Sequence, residues 1–195
     1  MSRKASAKTL VLGAVLTALV VLLQYMGSFV KLGPFSISLV LIPIVIGAAT
    51  CGTSVSTWLG FVFGVVVLII GDAAAFLAVN APGTIITVLL KGTLCGLCAS
   101  LAYKGSLKLL TKLKLKNASF IAVVVSAIVC PVVNTGIFLL GCLVFFMETV
   151  TMWAGGSNVG HYMIFVLVGG NFIFEIITNI ILSPVASRLI SIRKK

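Results

Sequence analysis

Residues 84–116 read TIITVLLKGTLCGLCASLAYKGSLKLLTKLKLK. From Thr84 to Tyr103 the stretch is apolar apart from Lys91 and a few small polar residues; after it come Lys104, Lys108, Lys112, Lys114 and Lys116. A bilayer-spanning helix needs about 20 mostly apolar residues. Lys and Arg concentrate in the cytoplasmic connectors of membrane proteins. The stretch therefore reads as a membrane helix that leaves the bilayer on its cytoplasmic side. Two further basic clusters lie outward from it. Arg3, Lys4 and Lys8 precede the first apolar run, and Arg188, Arg193, Lys194 and Lys195 close the chain. If the three clusters share one side, an even number of spans lies between each pair.

Composition supports this reading. The 195 residues are 61% hydrophobic and 9% charged, with a mean hydropathy of +1.29. A soluble domain is about 25% charged, so no soluble core could be covered by so little polar surface. Residues 1–195 are expected to form a single membrane domain. The net charge of +11 follows from the topology rule and does not call for nucleic acid; anionic lipid is its natural counterpart. The apolar stretch Leu10–Met26 exceeds the roughly 7–15 residues of a signal-peptide core, so it is read as the first membrane helix.

The expected architecture is an all-α integral membrane protein with six transmembrane helices and both termini cytoplasmic. The spans are about Thr9–Met26, Ser36–Thr50, Ser54–Ile70, Thr84–Tyr103, Ala118–Phe146 and His161–Leu189. The second is short, and the uncharged turn Cys51–Thr53 leaves a single broken helix as an alternative there. Pro131 suggests a kink or tilt in the fifth span, and Pro184 a late interruption in the sixth. Lys31, Asp72, Glu148 and His161 then fall outside, and every Lys or Arg except Lys31 and Lys91 falls inside.

Catalytic and metal signatures are not evident. The chain has no GxxxxGK[ST] phosphate loop, no HExxH and no GxSxG. His161 is the single histidine and reads as interfacial. Cys51, Cys95, Cys98, Cys130 and Cys142 fall in or beside apolar runs and read as small packing residues. No metal, no cofactor in this chain and no enzyme activity are expected.

Polar side chains in a bilayer face the bundle interior or a cavity. Thr84, Thr87 and Lys91 share one face of the fourth span; Asn171, Glu175, Thr178 and Asn179 share one face of the sixth. Asn134 and Thr135 follow Pro131 in the fifth. At about 1.5 Å rise per residue, Lys91, Asn134 and Asn171 come to a similar depth. Asn80, Thr84, Thr87, Lys91, Asn134, Thr135, Asn171 and Glu175 are the candidate binding residues. Two readings of Lys91 and Glu175 stand: an ion pair that fixes helix packing, or charges that meet a polar ligand. Small residues form a second pattern, with Gly60/Gly64 and Gly92/Gly96 in GxxxG spacing and Ala14/Ala18 in AxxxA spacing.

Segments 12–27 (LGAVLTALVVLLQYMG), 36–52 (SISLVLIPIVIGAATCG) and 58–66 (WLGFVFGVV), taken in order after a basic N-terminus, resemble the substrate-binding (S) components of energy-coupling factor (ECF) vitamin transporters. The resemblance extends over the whole chain in length, span count and topology. It implies a six-helix protein of a bacterial plasma membrane that binds one water-soluble vitamin near the outer face. It also implies a membrane coupling subunit and two ATPase subunits as partners. Ala14 and Ala18 match the family's docking feature, and Gly27–Phe35 and Gly71–Gly83 would be a lid and a ligand-contacting loop.

Lys91 suits a carboxylate, and Asn80, Asn134 and Asn171 suit hydroxyls and amides. Pantothenate is thus the first expectation. A hydroxymethylpyrimidine or pyridoxine-like ligand follows if Glu175 neutralises Lys91. Riboflavin or folate comes after these, with Trp58, Phe76, Trp153 and Phe172 as available aromatics. The rival classes are a self-sufficient secondary carrier or channel and an accessory membrane protein without a ligand.

Overall fold

Without water to bond the main chain, each apolar run must satisfy its N–H and C=O groups within itself, which a helix does. The computed structural model describes residues 7–29, 31–32, 35–36 and 39–194, and these are overwhelmingly helical. In chain order they form α1 (Ala7–Gly27), α2 (Leu41–Thr50), α3 (Thr53–Ile69), a short α4 (Ala74–Leu77), α5 (Ala81–Lys112), α6 (Ala118–Phe145) and α7 (Met147–Ala154). A final run joins α8 (Val159–His161), a π-helical segment (Tyr162–Gly169) and α9 (Gly170–Lys194). α1, α5, α6 and the run Val159–Arg188 are long and apolar enough to cross a membrane; α2 and α3 are apolar but shorter.

Three expected boundaries move. The second apolar helix starts at Leu41 rather than Ser36, because Lys31–Leu32 and Phe35–Ser36 pair as a two-residue antiparallel ladder. The lid expected at Gly27–Phe35 includes residues outside the described set. The fourth span does not end at Tyr103: α5 continues to Lys112, since its Lys and Leu residues are good helix formers. The last helix runs through Pro184 to Lys194, and α6 runs through Pro131, as neighbouring helices in a membrane bundle permit.

Between α2 and α3 the chain turns at Gly52, whose φ of 90° and ψ of −173° lie where only glycine is comfortable. The helix is therefore broken there, and α3 packs back on α2. The Ser56 hydroxyl donates to the Ile44 carbonyl (3.3 Å). The Lys104 ammonium holds the turn, donating to Thr53 Oγ1 at 2.6 Å. It also sits where the C-terminal dipole of α2 favours a cation.

α2 is the centre of the bundle, touching α1, α3, α5, α6 and α9. Its Leu41, Ile44, Val45 and Ile46 are buried. α3 and α5 approach each other through main chain. A Cβ on Gly60 would overlap the Gly92 carbonyl oxygen, one on Gly92 the Gly60 oxygen, and one on Gly96 the Ser56 oxygen. Gly64 faces the Val88 carbonyl. The two GxxxG motifs thus meet each other inside one chain, antiparallel, with the backbones in contact. Ser56 Oγ adds a 2.8 Å bond to the Gly96 carbonyl. α6 lies against the other side of α5, where Gly141 accommodates Thr87 and the Ser126 hydroxyl bonds the Ala99 carbonyl at 2.8 Å. Cys95, Cys130 and Cys142 are fully buried packing residues, and the Cys95 thiol donates to the Gly92 carbonyl.

Candidate functional site

The polar residues of the apolar helices do not scatter toward lipid. Thr84, Thr87, Asn134 and Glu175 are each 6% exposed or less. Together with Lys91, Thr135 and Asn171 they line one cavity of about 80 Å³. The helices deliver these residues by register. Thr84, Thr87 and Lys91 come from one face of α5, Asn134 and Thr135 from α6, and Asn171 and Glu175 from one face of α9. Just before α9 the wall is built by Leu167 and Val168 of the π-helical segment, a departure from α geometry of the kind often found at functional sites.

The cavity lies at one end of the bundle. It is reached from the C-terminal part of α1 (Gln24), the second half of α3 (Phe63, Val67), the start of α5, the second half of α6 and the start of α9. Lys8, Lys104, Lys108, Lys112 and Arg188 lie at the other ends of those same helices. The charge sorting of the sequence thus becomes a polarity of the molecule, with a basic end and a cavity end.

Lys91 approaches two aromatic faces, its Nζ 5.6 Å from the Phe63 ring centre and 5.5 Å from that of Phe138. Such cation–π contact is favourable and leaves the ammonium's donors available. Among the described residues, Lys91 and Glu175 make no direct ion-pair contact, though their opposite charges still attract each other. Asn134 lies beside the Glu175 carboxylate. Thr87 Oγ1, Asn134 Oδ1 and Glu175 Oε2 are buried without a hydrogen-bond partner among the described residues.

Asn80 differs from the other sequence candidates. It is outside the cavity lining and caps α5, its Oδ1 accepting from the Gly83 N–H at 3.0 Å. An Asn followed by Pro at the first helical turns is a helix-start signal, and this reading competes with ligand contact. Asn80→Ala is expected to lower stability by about 0.5–2 kcal/mol and leave ligand affinity unchanged. Thermal unfolding in detergent and calorimetry of the same sample check both parts.

The sequence reading missed several wall residues. Gln24 is 2% exposed on α1 and donates to Asp72 Oδ2 at 2.7 Å. It was legible as the one amide of the first apolar run, but it falls near the end of that run, where an amide could equally meet the interface. Asp72 was assigned to an outer connector; with Ala73 and Phe76 of that connector it faces the cavity. Phe63, Phe138 and Phe146 carried no signal, because an aromatic in an apolar run looks the same whether it faces lipid or ligand. Phe76 is the hub of this aromatic wall, in edge contact with Phe138, Phe146 and Trp153 at 5.0–5.6 Å. Of the aromatics picked from sequence, Phe76 and Phe172 line the cavity and Trp153 backs Phe76. Trp58 is 53% exposed on the bundle's outside. Ala14 and Ala18 are exposed on α1, beside the exposed Leu10, Val11 and Leu22. His161 is exposed and stacks on Phe165.

A family model described as the substrate-specific component of ECF transporters matches residues 8–190. No curated protein matches the chain.

Proposed function

Since the chain belongs to the substrate-specific components of ECF transporters, a family of transport subunits and not of enzymes, we propose that it captures a small water-soluble vitamin, pantothenate first, for uptake across a bacterial plasma membrane. The observation that carries this is the convergence of Thr84, Thr87, Lys91, Asn134, Thr135, Asn171 and Glu175 on one cavity at the end away from the basic residues. With the basic end cytoplasmic, the cavity opens outward. α1, α2, α3, α5, α6 and the final run then serve as six membrane segments with both termini inside. Energy comes from a coupling membrane subunit and two ATPase subunits, in keeping with a sequence that has no phosphate loop.

One feature supports pantothenate over the other vitamins. Lys91 makes no direct ion pair with Glu175 among the described residues, so its ammonium can meet a ligand carboxylate; this supports pantothenate ahead of a hydroxymethylpyrimidine or pyridoxine-like ligand, and ahead of riboflavin or folate. Purification in mild detergent followed by mass spectrometry of the released small molecules tests the proposal. Pantothenate in the extract is the expected result, and protein that carries and binds no vitamin would overturn it.

Docking to the coupling subunit is assigned to the exposed α1 stripe at Ala14 and Ala18, where small side chains let another helix approach and gain dispersion contacts. Ala14→Trp or Ala18→Trp is expected to reduce co-purified coupling subunit by about tenfold or more, the equivalent of 1–3 kcal/mol of overpacking. Vitamin binding should persist. Loss of binding with assembly preserved would defeat the assignment.

A further inference from the structure

The cavity holds two kinds of polar group. Lys91, framed by Phe63 and Phe138, presents N–H donors. Asn134 on α6 bonds the Glu175 carboxylate on α9, and their remaining oxygens, Glu175 Oε2 and Asn134 Oδ1, are buried acceptors with no donor directed at them among the described residues. Leu167, Val168 and Phe172 of the same lining offer only hydrocarbon. A buried acceptor without a donor is unfavourable, and two in one wall of one cavity mark the place where donors are brought in from outside.

We infer that Glu175 and Asn134 form a donor-reading subsite that sets specificity: the ligand enters with two neighbouring O–H or N–H groups against them and an anion or acceptor toward Lys91. This rests on the vitamin-capture reading above and adds the chemistry of the ligand's second end. Hydroxyls of a polyol acid or the amino edge of a small ring meet the requirement; an acid lacking such donors does not. Sites built this way reject the donor-less analogue strongly, by about 10⁴–10⁵-fold in the best cases, because their own polar groups are left unpaired. Thr87 Oγ1, also buried in this cavity without a partner, can turn its hydroxyl either way and adapts to whichever group lies beside it.

The isosteric change Glu175→Gln tests this in the full-length purified protein, because it replaces an acceptor oxygen by an amide. Wild type and variant are titrated calorimetrically with pantothenate, pyridoxine and hydroxymethylpyrimidine, each of which carries hydroxyl or amino donors. Any probe that binds wild type is expected to bind the variant roughly 10- to 100-fold more weakly, as loss of a hydrogen bond to a charged group implies. The variant's melting temperature without ligand should hold, since the amide keeps the shape of the side chain and its remaining oxygen can still meet Asn134. Unchanged affinity overturns the inference and leaves vitamin capture standing. A fall in unliganded melting temperature assigns Glu175 to helix packing and also overturns it. Failure of all three probes to bind wild type defeats the pantothenate-first ligand assignment, and the donor subsite falls with it.

Discussion

Gly60→Val is expected to abolish a folded, monodisperse protein in detergent. α3 and α5 meet through main chain. The step at Gly60 and Gly92 is flanked by Ser56 against Gly96 and Gly64 against Val88, so the contact runs along several turns. A side chain at Gly60 meets the Gly92 carbonyl, which is backbone and has no rotamer by which to yield. The helices must separate, and the Ser56–Gly96 bond and the packing around buried Leu59 and Cys95 go with them. The destabilisation should reach or exceed the upper part of the overpacking range, about 3 kcal/mol. Gly92→Val should behave alike. Gly105→Ala and Gly136→Ala are the controls, since nothing lies within 4 Å of a Cβ at either; they should stay within about 0.5 kcal/mol of wild type. Thermal unfolding and size-exclusion profiles of the four variants decide the matter. A Gly60→Val protein that melts like wild type would show that the helices are not in backbone contact.

Lys91→Ala is expected to weaken pantothenate binding by roughly 10²–10³-fold, within the 2–5 kcal/mol that truncating one partner of a buried charge pair removes. Two features make the effect large. The ammonium sits among aromatic rings where water screens poorly. Among the described residues it forms no direct ion pair within the protein, so its contact with an anion is not exchanged for an internal one. Calorimetry with pantothenate and with its alcohol analogue panthenol reads the contact directly. The variant should lose most of the preference for the acid, and undiminished binding would remove Lys91 from the site.

How far the sequence could be read depended on which physical constraint acted on each residue. Lys91, Glu175 and Asn134 were legible because charges and amides in apolar runs have nowhere else to go in a bilayer. Their helical spacing placed them on inward faces before any contact was known. Asn80 was ambiguous, because a polar residue at a helix start satisfies the same compositional rule for a local reason, the cap. The GxxxG motifs were visible but ambiguous: spacing of small residues permits close approach without naming the partner helix, and only the fold shows that Gly60 meets Gly92.

The sequence by itself determined the membrane environment, the basic end and the polar inventory, because each follows from transfer of a side chain between water and lipid and needs no knowledge of neighbours. Tertiary structure alone decided which helices touch, that Gln24, Asp72 and the phenylalanine cluster help wall the cavity, and that Lys91 and Glu175 share it with no direct ion-pair contact among the described residues. Those facts depend on distances between residues far apart in the chain, and helix packing sets such distances through shape, which composition and periodicity do not encode.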